Sequence, residues 1–185
     1  MIYLIGGTSR SGKSCLRKLM LSKYKISGIS TDRLVQMLQV GMPEFGLVHE
    51  MNQDHRVLKL KPLIQGLLTY HAAREDFVIE GVDILPEDVS EYVKYANGYL
   101  KACFIGTCSV TTQQKVLNIK QFLSYNDWTQ DMNDVDINAL AAWLIQQSQK
   151  LKSECEKFDL KYFDTSSDFT SVMELAANYL KSKDQ

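Results

Sequence analysis

Apolar positions along the 185-residue chain alternate between two rhythms. Short runs rich in β-branched and aromatic residues predict five buried strands at Ile2–Ile5, Lys25–Thr31, Phe77–Val82, Lys101–Thr107 and Leu160–Thr165. Between them the spacing is helical. The stretch from Lys13 places Leu16, Leu19 and Met20 on one face, and further helices are predicted over Asp32–Val40, Pro62–Arg74, Pro86–Ala96, Thr111–Tyr125, Asp136–Phe158 and Asp168–Leu180. Pro62 and Pro86 read as first-turn residues, the position a helix tolerates for proline. The stretch GMPEFGLVHEMNQDHRVLK, from Gly41 to Lys59, shows little periodicity and reads as a connection. Alternation of strand and helix predicts an α/β fold, with a parallel sheet covered on both faces.

Length and apolar content, 45%, suit one well-buried domain over residues 1–185. No run approaches the length of a membrane span, and the N-terminal apolar run lacks a basic region before it and ends at Gly6. A cytoplasmic protein without a signal peptide or membrane partner is expected. The four cysteines, Cys15, Cys103, Cys108 and Cys155, lack metal-binding spacing and read as reduced thiols. Net charge is −1, which gives no general case for a nucleic-acid partner. The distribution is uneven: residues 1–74 carry 11 Lys and Arg against 4 Asp and Glu, and residues 75–185 carry 10 against 18. All five arginines, Arg10, Arg17, Arg33, Arg56 and Arg74, lie in the first part. Either a set of anion-binding groups or a solvated basic face explains that asymmetry.

Candidate chemistry is most specific at GTSRSGKS, Gly7–Ser14, which fits the pattern G-x-x-x-x-G-K-[ST] without a mismatch between a predicted strand and a predicted helix. Such a loop turns successive backbone N–H groups inward at the positive end of a helix, so it holds phosphate with few side chains. Gly7, Thr8, Ser9, Arg10, Ser11, Gly12, Lys13 and Ser14 are therefore expected to bind a nucleotide, ATP or another NTP. Lys13 is expected to reach the β- and γ-phosphates and Ser14 to offer its hydroxyl to Mg²⁺.

In parallel sheets, ligands collect beyond the carboxyl ends of the strands. After the second strand stand Asp32 and Arg33; at the end of the third stand Glu80 and Asp83. Two roles are open to Asp32: capping the helix that follows, or taking the proton of an acceptor hydroxyl. Glu80, among residues expected to be buried, requires either a magnesium ion or its water, or a salt bridge to a helix lysine. Asp83 is a weaker candidate of the same kind. His49, Glu50, His55, Arg56 and Lys59 read equally as acceptor-binding groups or as polar surface.

The stretches GGTSRSGKS, STDRL and VIEGVDILP resemble the corresponding segments of 2-phosphoglycerate kinase-like proteins. More loosely they resemble chloramphenicol phosphotransferase and the zeta-toxin kinases, within the nucleoside-monophosphate-kinase-like group of P-loop kinases. That resemblance implies a P-loop NTPase fold with strand order 2-3-1-4-5, a helical lid over residues 111–140, ATP or another NTP with Mg²⁺, and Asp32 as the catalytic aspartate. It implies a phosphotransferase acting on a small-molecule hydroxyl; Arg33 and Asp83, by their places at strand ends, and Arg56, in the Gly41–Lys59 stretch, are the candidates to join Asp32 around the acceptor.

One departure from the resemblance stands out. Lids of these kinases carry arginines, and this chain has none after Arg74. Its lid segment NDWTQDMNDVD instead holds Asp127, Asp131, Asp134 and Asp136, expected to face solvent, an acceptor or a partner without a cation nearby. Lys115 and Lys120, on the preceding helix, are the nearest substitutes in sequence, and Arg10 of the glycine loop reads equally as a guanidinium supplied from the other side or as an exposed loop arginine. A second reading is consequently an NTP-binding or slowly hydrolysing regulatory module that acts through a protein partner. A nucleic-acid-end kinase is disfavoured by the charge.

Overall fold

A computed structural model describes residues 1–71, 74–123 and 127–182. Five parallel strands form one sheet: β1 (Ile2–Gly7), β2 (Gly28–Ser30), β3 (Phe77–Gly81), β4 (Leu100–Gly106) and β5 (Lys161–Asp164), in the order β2-β3-β1-β4-β5. Leu4 of β1 lies between Ile79 of β3 and Ala102 of β4, and Ile105 of β4 pairs with Phe163 of β5. The order predicted from the resemblance is the observed one.

Strand periodicity divides the core. Ile2, Leu4, Ile79, Ala102 and Phe104 face one cluster, which Val35, Leu60, Ile64, Val89, Tyr92 and Leu151 complete from α2 (Thr31–Gly41), α3 (Gln53–His71), α4 (Pro86–Ala96) and α6 (Asp134–Lys157). Tyr3, Ile5, Val78, Cys103 and Ile105 face the other, which α1 (Lys13–Tyr24) and α7 (Phe169–Lys181) cover with Leu16, Met20, Met173 and Ala177. Alternate residues of one strand thus enter opposite cores, as a sheet covered on both faces requires. A third cluster joins α5 (Thr112–Gln121) to α6 through Val116, Ile119, Ile137, Ala141 and Leu144.

Several boundaries differ from the sequence reading for identifiable reasons. Pro62 is inside α3 and does not begin it. The helix starts nine residues earlier, where the Asn52 side chain accepts from the His55 amide at 3.0 Å, and buried Val57, Leu60, Ile64 and Leu68 run as one stripe past the proline. That stripe outweighs the one backbone hydrogen bond Pro62 removes. Ser30, not Asp32, accepts from the Arg33 amide at the start of α2, so the capping role offered to Asp32 is filled by its neighbour. Lys25 has φ 60 at the end of α1 and closes that helix, leaving β2 three residues. Of the expected Thr111–Tyr125 helix, α5 accounts for Thr112–Gln121, capped by Thr111; Tyr125 lies outside the described residues, as does part of the lid segment.

Candidate functional site

The phosphate-binding loop leaves β1 between β3 and β4 and enters α1 at Lys13. Gly12 has φ 107, and a Cβ there would stand 2.6 Å from Met173 and 2.7 Å from Phe169 of α7, so only glycine admits both the turn and the packing. Arg10 also adopts a left-handed backbone, φ 56, where a non-glycine residue is uncommon. The amides of Arg10, Ser11 and Gly12 meet no acceptor among the described residues. Arg10 Nε and Ser11 Oγ are buried with no hydrogen-bond partner among the described residues. Orphaned donors in a glycine loop at a helix start form an anion cradle, and a nucleotide polyphosphate fits it.

Lys13 is buried, and its ammonium donates to the carbonyl of Thr8 at 2.8 Å. Burial lowers its pKa, with Glu80, Asp32 and Asp83 opposing that shift through their charges. Those three candidate carboxylates therefore share the neighbourhood of the loop lysine. Ser14 Oγ donates to Glu80 Oε1 at 2.8 Å, and Arg17 Nε lies 3.4 Å from the same oxygen. The buried Glu80 is paired with an arginine of α1, where a helix lysine had been the alternative expected. No group of three His, Cys, Asp or Glu side chains forms a metal cluster among the described residues. A hydroxyl and one carboxylate suit Mg²⁺, which is commonly held by one or two carboxylates, water and substrate phosphates.

Asp32 and Arg33 are exposed in the first turn of α2, and neither makes a side-chain hydrogen bond or ion pair among the described residues. Asp83 is buried: its Oδ1 accepts from Arg56 Nε at 2.8 Å and its Oδ2 from Thr31 at 3.1 Å. Arg56 also donates to the carbonyls of His49 and Met51, and Lys59 to that of Phe45. Both cations thus tie the 43–51 connection, including a 3₁₀ turn at Pro43–Phe45, onto α3.

Two cavities meet at the loop. One of about 490 Å³ is bounded by Gly7, Thr8 and Ser9, by Gln53, Asp54 and Arg56 of α3, by Val82, Ile84, Leu85 and Glu87, and by one side of α6 from Trp143 to Lys157 with Phe158 just beyond it. The other, of about 880 Å³, is bounded by Arg10 through Cys15, by Lys115, Asn118 and Phe122, by Thr165–Ser167 of the β5–α7 connection and by Phe169 and Thr170 at the start of α7. Asp32 and Arg33 line neither.

The acidic lid segment is not without cations. Asp127 forms an ion pair with Arg10, whose guanidinium also donates to Thr129 at 2.7 Å and lies 6.0 Å from the Trp128 ring. Asp134 pairs with Lys120 at 2.7 Å. Asp131 and Asp136 are exposed. Two of the four aspartates thus meet a cation, Asp127 through Arg10 of the glycine loop and Asp134 through Lys120 of α5, both named as substitutes from the sequence. Two polar residues that the sequence reading passed over complete the frame. Ser148 of α6 is fully buried, bonds Thr8 Oγ1 at 2.9 Å and accepts from the Thr107 amide at 3.0 Å; Thr129 receives Arg10. A serine within the buried stripe Leu144, Ser148, Leu151 and Cys155 was the available signal, whereas Thr129 left none.

No protein-family model and no curated protein matches the chain in sequence. Among solved structures, a gluconokinase from Sinorhizobium meliloti 1021 superposes with a TM-score of 0.56 at 13% identity, over 96% of this chain and 90% of that one. A shikimate kinase from Bacteroides thetaiotaomicron superposes at 0.56 with 14% identity, over 98% and 96%. An uncharacterized protein from Eubacterium ventriosum ATCC 27560 superposes at 0.52 with 13% identity, over 99% of both chains. With its sheet order and glycine loop, the chain has the α/β P-loop NTPase fold, in a form similar to that of small-molecule kinases.

Proposed function

We propose that the protein is a small-molecule kinase, transferring the γ-phosphoryl group of ATP or another NTP to a hydroxyl. One observation carries this reading: the phosphate-binding loop is shared between two cavities, Gly7–Ser9 bounding one and Arg10–Cys15 the other. The larger cavity, toward the helix start, suits the nucleotide; the smaller suits the acceptor. The likeness in fold to a gluconokinase and a shikimate kinase agrees with a small acceptor. The narrower resemblance to 2-phosphoglycerate kinase-like proteins supplies no acceptor by itself.

In this reading the residues from Gly7 to Ser14 bind the phosphates, and Lys13 exchanges the Thr8 carbonyl for phosphate oxygens as charge develops in transfer. Mg²⁺, held through Ser14 and Glu80, would neutralise phosphate charge. Asp32, within charge interaction of Lys13 though on the wall of neither cavity, takes the hydroxyl proton as the new O–P bond forms and the bond to the leaving nucleoside diphosphate breaks. Its lack of any hydrogen-bond or ion-pair partner among the described residues, with Ser30 filling the cap, supports that role. Arg56 lines the acceptor's cavity, Asp83 acts through the arginine it fixes, and Arg33 stands beside Asp32 at the start of α2, outside that cavity.

The second reading, a nucleotide-binding module acting through a protein partner, draws support from Arg10: its guanidinium is held by the lid and not aimed solely at the loop's ligand. Rates of nucleoside diphosphate release, with and without a pool of sugars, sugar acids and polyols, separate the two. A kinase responds to the pool with a rate increase of an order of magnitude or more; a binding module gives the same slow rate in both.

A further inference from the structure

Lys115 is a charged side chain sealed inside the protein, 2% exposed. Its ammonium meets two neutral oxygens, the carbonyl of Arg10 at 3.0 Å and the hydroxyl of Thr107 at 2.9 Å. No carboxylate pairs with it among the described residues. The charged groups facing it from the loop and α1 are Arg10 and Lys13, both cations. The lid's Asp127 is engaged by Arg10. From β4 come Thr107 and Cys108; Asp164, at the neighbouring end of β5, accepts from Cys108 and Ser166. Helix α6 presents Ile137, Ala141 and Leu144 to α5, and the β5–α7 connection presents Thr165 and Ser166 to the same cavity.

A buried ammonium among cations is unfavourable, and an apolar residue of similar volume would pack there at lower cost. What Lys115 adds is positive charge in the wall of the 880 Å³ cavity, beside the loop amides that have no acceptor. It does so while gripping the one carbonyl of the loop that belongs to a left-handed arginine. We infer that Lys115 is the donor-positioning cation of this protein: through the Arg10 carbonyl it holds the phosphate-binding loop in its anion-accepting shape, and its charge is matched by a nucleotide polyphosphate. The inference rests on the larger cavity being the donor's.

A pH dependence follows. Burial first, then the charges of Arg10 and Lys13, lower the Lys115 pKa to about 8. Bound polyphosphate favours the ammonium, so binding above that pH takes up a proton and affinity falls as pH rises. For one proton and a pKa of about 8, affinity drops roughly eightfold from pH 7.5 to 9.

Titration calorimetry with Mg·ATP tests this on the wild type, Lys115→Met and Lys115→Arg. The wild type should show the alkaline loss. Lys115→Met should bind roughly tenfold more weakly at pH 7.5, with the Lys115-dependent part of the alkaline loss removed. Lys115→Arg should bind well at pH 7.5 and lose less affinity at pH 9, because guanidinium stays protonated. The ligand-free unfolding temperature of Lys115→Met should equal or exceed that of wild type. Wild-type affinity and pH dependence in Lys115→Met would overturn the inference. So would a lowered unfolding temperature in Lys115→Met with no recovery of affinity in Lys115→Arg, since that marks a purely structural lysine. If Lys115→Met does not fold, the comparison of wild type with Lys115→Arg at pH 9 decides. If the wild type binds no Mg·NTP, the donor reading itself fails and this inference falls with it.

Discussion

Ser14 and Glu80, 66 positions apart in sequence, meet with Oγ donating to Oε1 at 2.8 Å, which brings the hydroxyl of the phosphate-binding loop against the carboxylate at the end of β3. Glutamine at position 80 would keep an oxygen to accept from Ser14 and remove the charge. Glu80→Gln should therefore fold, lower the apparent Mg²⁺ affinity or turnover by roughly 10- to 100-fold, and leave metal-free nucleotide binding unchanged. Magnesium titrations at fixed ATP check this. Unaltered metal dependence would leave Glu80 as a structural partner of Ser14 and Arg17.

Asp32→Asn should reduce transfer to the acceptor by roughly 10² to 10⁴ while nucleotide affinity is retained, since an amide cannot take the proton. Ser30→Ala provides the contrast. It removes the cap of α2 and should cost about 1 kcal/mol of stability, measured by urea unfolding, with a smaller effect on the chemical step.

The ion pair between Arg10 and Asp127 fastens the acidic segment before α6 to the glycine loop, with side chains 15% and 6% exposed. Asp127→Ala should destabilise the ligand-free protein by roughly 1–3 kcal/mol, reduced from the cost of breaking a fully buried pair by the partial exposure of Arg10. Phosphate can then satisfy the released guanidinium, so Mg·ATP should raise the unfolding temperature of the variant by more than it raises that of wild type. Equal shifts would mean that Arg10 does not meet the donor.

Asp76 accepts from Lys181 at 2.9 Å and lies 3.2 Å from the N-terminal ammonium. Burial raises its pKa, but the Lys181 and N-terminal ammoniums outweigh that and hold it below the usual carboxylate value. A carboxylate depressed in the folded state contributes stability above its unfolded pKa and loses it as pH falls through the folded one. Asp76→Asn should accordingly cost under about 1 kcal/mol at pH 7, the side chain being 40% exposed, and nothing once both forms are protonated near pH 2. Unfolding curves at the two pH values measure the difference.

Strands and helices were legible where the apolar rhythm was strong: Ile2–Ile5 and Phe77–Val82 are strands within a residue or two, and Pro86–Ala96 is α4. The glycine loop was legible because backbone geometry demands its residue types. The start of α3 was missed because Pro62 gave a local signal, while the burial of Val57 and the packing of Leu60 against the core are tertiary ones. Contacts between segments distant in sequence were the least legible. Arg10 with Asp127, Asp83 with Arg56 and Lys115 with the Arg10 carbonyl depend on which strand ends the sheet order places together, and no local pattern encodes those pairings.

The most direct test of phosphoryl transfer follows the fate of the γ-phosphate. The protein is incubated with γ-labelled ATP, Mg²⁺ and a pool of sugars, sugar acids and polyols, and the label is traced by chromatography. The account predicts label in an organic phosphate monoester, absent with Lys13→Met and strongly reduced with Asp32→Asn. Label recovered only as inorganic phosphate, at a rate the pool does not change, would contradict it.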